Sequence, residues 1–186
     1  AGAFEMLGLE TIDQHGTPVS STEFAMLFPG VTVADDDGGS DLAASGHGRS
    51  ASSSQPIEPA GPVVRRDLGG GAAHVYTECS RIWNPIHTDR AVALAAGLPD
   101  IILHGTATLA LAITQLVNNY LDGDPIRVRR LGGRFTAVVL MPSMLTLTVD
   151  GEAPGRIFFT VLTEEVDMGR VVERAEALVD VGHGAP

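Results

Sequence analysis

Residues 104–121 constrain the fold more than any other stretch of the chain. Ala107, Leu109, Ala110, Leu111, Ile113, Leu116, Val117 and Tyr120 cover most of the circumference of a helical segment. A helix of that kind belongs in an interior rather than on a surface with one wet face. The segments downstream of it can build that interior. Residues 126–139 alternate partly, with Arg127, Arg129 and Arg134 among apolar residues, and 144–150, 156–165 and 170–181 are rich in Val, Leu, Phe and Thr, with turns expected at Gly151, Gly155 and Gly169. Gly132-Gly133 marks a bend or bulge in the first of them. A buried helix with four strands after it predicts an α+β fold in which a sheet curls around the helix.

Upstream, residues 73–81 read as a further strand, with His74, Tyr76, Glu78 and Ser80 on one face and Val75, Thr77 and Cys79 on the other. After Asn84-Pro85, Asp89 is placed to cap a short helix through Leu94 and Ala96, ended by Gly97 and Pro99. At the N-terminal end, residues 4–12 and 19–33 read as two strands around an Asp13–Pro18 turn. Such a hairpin is not stable alone and is expected to add to a sheet of this chain or of a partner. Between it and the rest, residues 34–62 hold Asp35-Asp36-Asp37-Gly38-Gly39 and Ser50-Ala51-Ser52-Ser53-Ser54, which bury little and predict a flexible linker. The acidic run lacks the spacing and closing Glu of a calcium loop, so no metal site is expected. The expected organisation is a hairpin at 1–33, a linker at 34–62 and a domain at 63–186.

The chemistry concentrates between Trp83 and Thr106. Trp83-Asn84-Pro85-Ile86-His87-Thr88-Asp89 holds a histidine in a proline turn, and Ile101-Ile102-Leu103-His104-Gly105-Thr106 opens the long helix. Amide N–H groups near Gly105 would stand at the positive end of a helix dipole. A histidine facing fixed amide donors suits reactions at a thioester or another carbonyl.

These residues resemble the MaoC-like, (R)-specific enoyl-CoA hydratase family, which has the hotdog fold. Its pattern runs Ser-Gly-Asp-x-Asn-Pro-Leu/Ile-His, an Ala-Gly-rich helix and a Pro-Ile-Leu-His-Gly-like segment. Ser80, Asn84, Pro85, Ile86, His87, Ala96-Gly97, Leu103, His104 and Gly105 fall on it, over roughly residues 63–181. Two positions depart: Ile82 stands where the family has its catalytic Asp, and Arg81 where it has a glycine. The resemblance implies water addition to, or removal from, a 2-enoyl thioester such as an acyl-CoA, which is substrate and not cofactor. It implies His87 as acid/base and the Gly105 amide as oxyanion donor, a contribution of about 3 kcal/mol at such sites. It also implies a homodimer or a hotdog partner subunit, and the N-terminal hairpin resembles the end of a preceding hotdog unit.

Other polar residues carry two readings each. Gly105 equally serves close helix packing, and His104 a backbone bond at the helix start rather than substrate. Asn84 fixes the turn through its side chain or touches substrate. Ser80, Glu78 and Asp89 are the nearby groups that could replace the missing Asp, with Asp89 better suited to capping. Arg127, Arg129, Arg130 and Arg134 form a basic cluster that is either a solvated strand edge or, through Arg129, a seat for the phosphates of a CoA carrier. The net charge of −11 argues against a nucleic-acid partner. No apolar run is long enough for a membrane span, and a single cysteine, Cys79, fits a cytoplasmic protein. A second function remains open, because Ile82 also suits a subunit that binds thioesters or completes a dimer without catalysing anything. Thioester hydrolysis is a third, since the fold hosts it too.

Overall fold

A computed structural model describes residues 2–32, 64–163 and 170–179. They fall into two compact units, one within residues 1–53 and the other within 54–186. The expected linker at 34–62 lies outside the described residues.

The first unit is a hairpin of β1 (Gly2–Ile12) and β2 (Pro18–Pro29), paired antiparallel from Gly2↔Pro29 to Ile12↔Pro18. Asp13 makes the turn: its Oδ1 accepts the amide hydrogens of His15 and Thr17, each at 2.8 Å. Those amides, Thr17 first, hold the Asp13 carboxyl below its ordinary pKa. β1 and β2 form a two-stranded sheet of their own. Leu7, Leu9, Phe24, Met26 and Phe28 remain exposed on it.

The second unit runs β3 (Val64–Leu68), α1 (Ala72–Ser80), α2 (Arg90–Ala95), α3 (Gly105–Tyr120), β4 (Val128–Phe135), β5 (Ser143–Ala153), β6 (Arg156–Thr163) and β7 (Arg170–Val179). Its strands make one antiparallel five-stranded sheet in the order β3-β5-β6-β7-β4. Leu145, Leu147, Val149, Phe159 and Val161 belong to the same buried core as Ala107, Ala112, Leu116 and Val117 of α3. The helix is thus laid against the sheet, as its composition predicts. Its burial is less complete than the sequence suggests: Thr106, Ala110, Thr114 and Asn118 are exposed, and Leu109, Leu111 and Ile113 only partly covered. These exposed positions recur at i+4, so one narrow stripe faces outward.

Residues 73–81 are the clear correction. They are helical, not extended, and the strand before the site is instead β3. Ala73 and Thr77 are the buried residues of α1, a spacing of four that fits one face of a helix as well as one face of a strand. Thr77 and Ser80 turn their hydroxyls back onto the carbonyls of Ala73 and Tyr76, at 2.9 and 2.6 Å. The helix ends on Arg81 in the left-handed region, φ 57° and ψ 36°. This is the position at which the resembled pattern has glycine, the residue that adopts such a conformation without strain.

The expected turn at Gly151 is a register shift within β5, and the reversal into β6 falls between Ala153 and Arg156. The Gly132-Gly133 bulge is present, as a register shift between Gly132 and Arg134 where β4 meets β7. Asp89 caps α2 as expected, its Oδ1 accepting from the amides of Ala91 and Val92 at 2.8 and 3.3 Å. Gly97 comes after that helix with φ 84°, a conformation that suits a residue without a side chain.

Candidate active site

The site is assembled by the extended segment 101–103, which is held on both sides. Leu103 N–H donates to Val139 O at 2.7 Å and Met141 N–H to Ile101 O at 3.1 Å, binding the segment to the connection between β4 and β5. On its other side Ile102 N–H donates to Ile86 O at 3.3 Å. The Ile102 carbonyl in turn accepts His87 Nδ1–H at 2.8 Å. A carbonyl can only accept, so neutral His87 carries its proton on Nδ1 and leaves the Nε2 lone pair available.

His87 closes a 3₁₀ turn, Pro85–His87, that Asn84 caps by accepting Ile86 N–H at 3.4 Å. Proline presets the turn, and His87 N–H completes it by donating to Asn84 O at 3.1 Å. The His87 side chain is buried, with its ring stacked on that of His104 at a centroid separation of 3.6 Å and 22° between planes. The sequence separates the two histidines by seventeen positions; the fold puts them face to face.

His104 is the N-cap residue of α3 but does not cap it with its side chain. Its Nε2 reaches the Ile82 carbonyl at 3.3 Å and Thr77 Oγ at 3.4 Å, while Nδ1 is buried with no partner among the described residues. The backbone bond expected of it at the helix start is not made; its side chain reaches across to another loop instead. Tyr76 adds a tilted ring contact at 4.9 Å. Burial, with a smaller contribution from His87, holds the His104 pKa below the ordinary imidazole value, against the opposing pull of the Ile82 carbonyl.

Immediately after His104, Gly105 begins α3, whose first helical bond runs from Thr108 N–H to His104 O at 3.1 Å. The amides of Gly105, Thr106 and Ala107 thus occupy the first turn, where the helix supplies no acceptor. Gly105 and Thr106 are exposed. The Phe135 ring lies against Gly105, 3.3 Å from where a β-carbon would stand. The close packing expected of this glycine is thus present, against Phe135.

Other residues named from the sequence sit further out or are already engaged. Ser80 Oγ gives its proton to Tyr76 O. Asn84 is exposed and serves the turn. Arg129 is exposed on β4, an edge strand, six positions from Phe135. At strand spacing that is about 20 Å, too far to share one substrate atom with the Gly105 amide. Ile82 and Trp83 are exposed beside the histidines. Sequence reasoning missed the Ile82 and Ile102 carbonyls, which have no side-chain signature, and Thr77 and Phe135, which no motif marks.

Comparison with known proteins agrees with the fold. The MaoC-like dehydratase of Phytophthora capsici superposes with a TM-score of 0.80 at 20% identity, over 100% of this chain and 59% of that one. The full-length peroxisomal multifunctional enzyme type 2 of Drosophila melanogaster gives 0.75 at 22% identity, over 96% of this chain and 30% of its own. The fold is the hotdog. Among curated sequences, a fatty acid synthase beta subunit of Emericella nidulans is 33% identical over 107 residues, 56% of this chain and 6% of that protein. Peroxisomal enoyl-CoA hydratase 2 of Arabidopsis thaliana is 42% identical over 57 residues, 31% of this chain and 18% of its own. The chain thus spans only a small part of these relatives. A family model described as the MaoC like domain matches residues 54–172, and the chain belongs to the MaoC-like dehydratase family.

Proposed function

We infer that this chain carries a hydratase or dehydratase site for 2-enoyl thioesters, in an acyl-CoA or a similar carrier. The observation that supports it best is the orientation of His87: its Nδ1–H is spent on Ile102 O, so Nε2 is the basic atom. The segment that accepts this bond leads within three residues to the Gly105 amide. In hydration, His87 Nε2 takes a proton from water as the water oxygen bonds to the β-carbon. The double-bond electrons move toward the thioester oxygen, which the amide stabilises as an enolate. The imidazolium then returns its proton to the α-carbon; dehydration is the reverse. With Ile82 in place of the family's Asp, one imidazole serves both proton transfers, and no cofactor enters the scheme. We assign the distant phosphates of a carrier to Arg129. Pairing with a second copy or a hotdog partner subunit, in the cytoplasm, completes this reading.

The second reading is a subunit that binds thioesters without turning them over. Ile82 favours it, because loss of one member of an acid–base pair typically lowers rates by about two to four orders of magnitude. Loss of the conjugated-enoyl absorbance of a 2-enoyl-CoA, incubated with purified protein, distinguishes the two. The expected result is slow turnover that His87→Ala abolishes, with Ile82→Asp accelerating it. Ile82 is 42% exposed, so an aspartate there would be hydrated enough to ionise. Turnover that survives His87→Ala would refute the mechanism. Thioester binding without turnover in either the wild type or Ile82→Asp would establish the second reading.

A further inference from the structure

We propose that His104 is a positioning residue that holds His87 in its reactive orientation through the stacked face of a neutral imidazole. This deepens the acid–base reading of His87 and rests on it. The geometry restricts His104 to one state. Its Nε2 faces an oxygen that can only accept, the Ile82 carbonyl, so Nε2 bears the hydrogen. Thr77 Oγ, the other atom within reach of Nε2, has its own hydrogen directed to Ala73 O. Nδ1 is left as a buried lone pair with no partner among the described residues, in a residue only 3% exposed. A second proton on His104 would put an N–H donor there without an acceptor, and a charge within 3.6 Å of the His87 ring. Among the described residues, the titratable groups facing His104 are His87 from the 3₁₀ turn and Tyr76 from α1.

The ring so fixed has two consequences for His87. Its Nδ1–H bond to Ile102 O leaves rotation about that bond as the remaining freedom, and the His104 face removes it. His104 also joins α3 to the loop before the Asn84-Pro85 turn through Ile82 O, so that loop and the His87 ring are registered by one side chain. A base held in one orientation is worth a large factor, since a displacement of about 1 Å at a reacting group lowers rates by about a hundredfold.

The test separates the ring face from the hydrogen bond. His104→Phe keeps an aromatic face without a donor, His104→Gln keeps a donor without the face, and His104→Ala removes both. Protein labelled with ¹⁵N at histidine reports tautomers without requiring turnover. Wild type is expected to show His87 as the Nδ1–H form and His104 as the neutral Nε2–H form near neutral pH. In the Ala and Gln variants His87 should shift toward averaged tautomers, with kcat on a 2-enoyl-CoA down about a hundredfold and KM within about twofold. The Phe variant should restore the wild-type His87 signals and most of kcat. An unchanged His87 tautomer in the Ala and Gln variants would overturn the proposal. So would loss of kcat that tracks melting temperature equally in all three. Should wild type lack turnover, the hydratase reading fails, while the nitrogen spectra still decide the role of His104.

Discussion

Arg81 shows how a single residue records a backbone requirement. The chain leaves α1 through a left-handed residue, φ 57°, and goes directly into the Ile82 loop that His104 grips. For a residue with a β-carbon that conformation is about 1–2 kcal/mol less favourable than for glycine. Glycine also gains conformational freedom in the unfolded chain, which offsets part of the relief. Arg81→Gly is therefore expected to raise stability by up to about 1 kcal/mol, read as an upward shift of the denaturant midpoint at constant slope. A lower midpoint would mean that the Arg81 side chain makes a contribution larger than the strain. The same residue explains a limit of the sequence. The departure from glycine is visible there, but the helix that makes the position left-handed is not, because His74, Tyr76, Glu78 and Ser80 also alternate as a strand would.

At the scale of elements, the β5–β6 pair shows polar side chains tying adjacent strands. Asp150 accepts from Thr160 Oγ at 2.6 Å and from Thr148 Oγ at 3.3 Å, and Ser143 meets Thr163 at 2.7 Å. Thr160 is buried and gives its hydroxyl hydrogen to Asp150, so removing this acceptor leaves that hydroxyl in want of a partner, whereas Thr148 can still donate to Thr160 O at 3.5 Å. Asp150→Ala is expected to destabilise the fold by about 1–3 kcal/mol, whereas Asp150→Asn, which keeps a carbonyl acceptor, should lose less. Equal losses in both variants by chemical denaturation would refute the assignment. Strands β4 to β7 were legible from their β-branched runs and α3 from its apolar breadth, whereas β3 was not. Asp89 was legible as a cap, because its chemistry is local. The strand order β3-β5-β6-β7-β4 was not, since register comes from pairings far apart in sequence. The candidate site divides in the same way: His87 and Gly105 announce themselves through an Asn-Pro turn and a helix start, while the groups that orient His87 and His104 are carbonyls supplied by Ile102 and Ile82.

For the molecule as a whole, proton binding couples each unit's stability to pH in a different window. Asp13, in the hairpin, has a lowered pKa, so its contribution is present above the ordinary carboxylate value near 4 and is lost as pH falls through its folded value. Tyr120, at the end of α3, is shifted upward, mainly by burial and secondarily by Glu152, so its effect appears only above about pH 10. His104 acts between them. Unfolded, it takes a proton near pH 6.5; folded, it does so only at lower pH because it is buried. Below about pH 6.5 the unfolded chain therefore binds more protons than the folded one, and stability falls as pH falls. The sole tryptophan, Trp83, lies in the hotdog unit and gives a fluorescence signal for its unfolding. The midpoint monitored by Trp83 is expected to drop between pH 7 and pH 5, a range in which the Asp13 and Tyr120 contributions are constant. His104→Phe, which has nothing to protonate, should flatten that dependence even if its midpoint at pH 7 is lower. A slope as steep in the variant as in wild type would place the responsible proton elsewhere, and a rising midpoint on acidification would contradict a neutral His104 altogether.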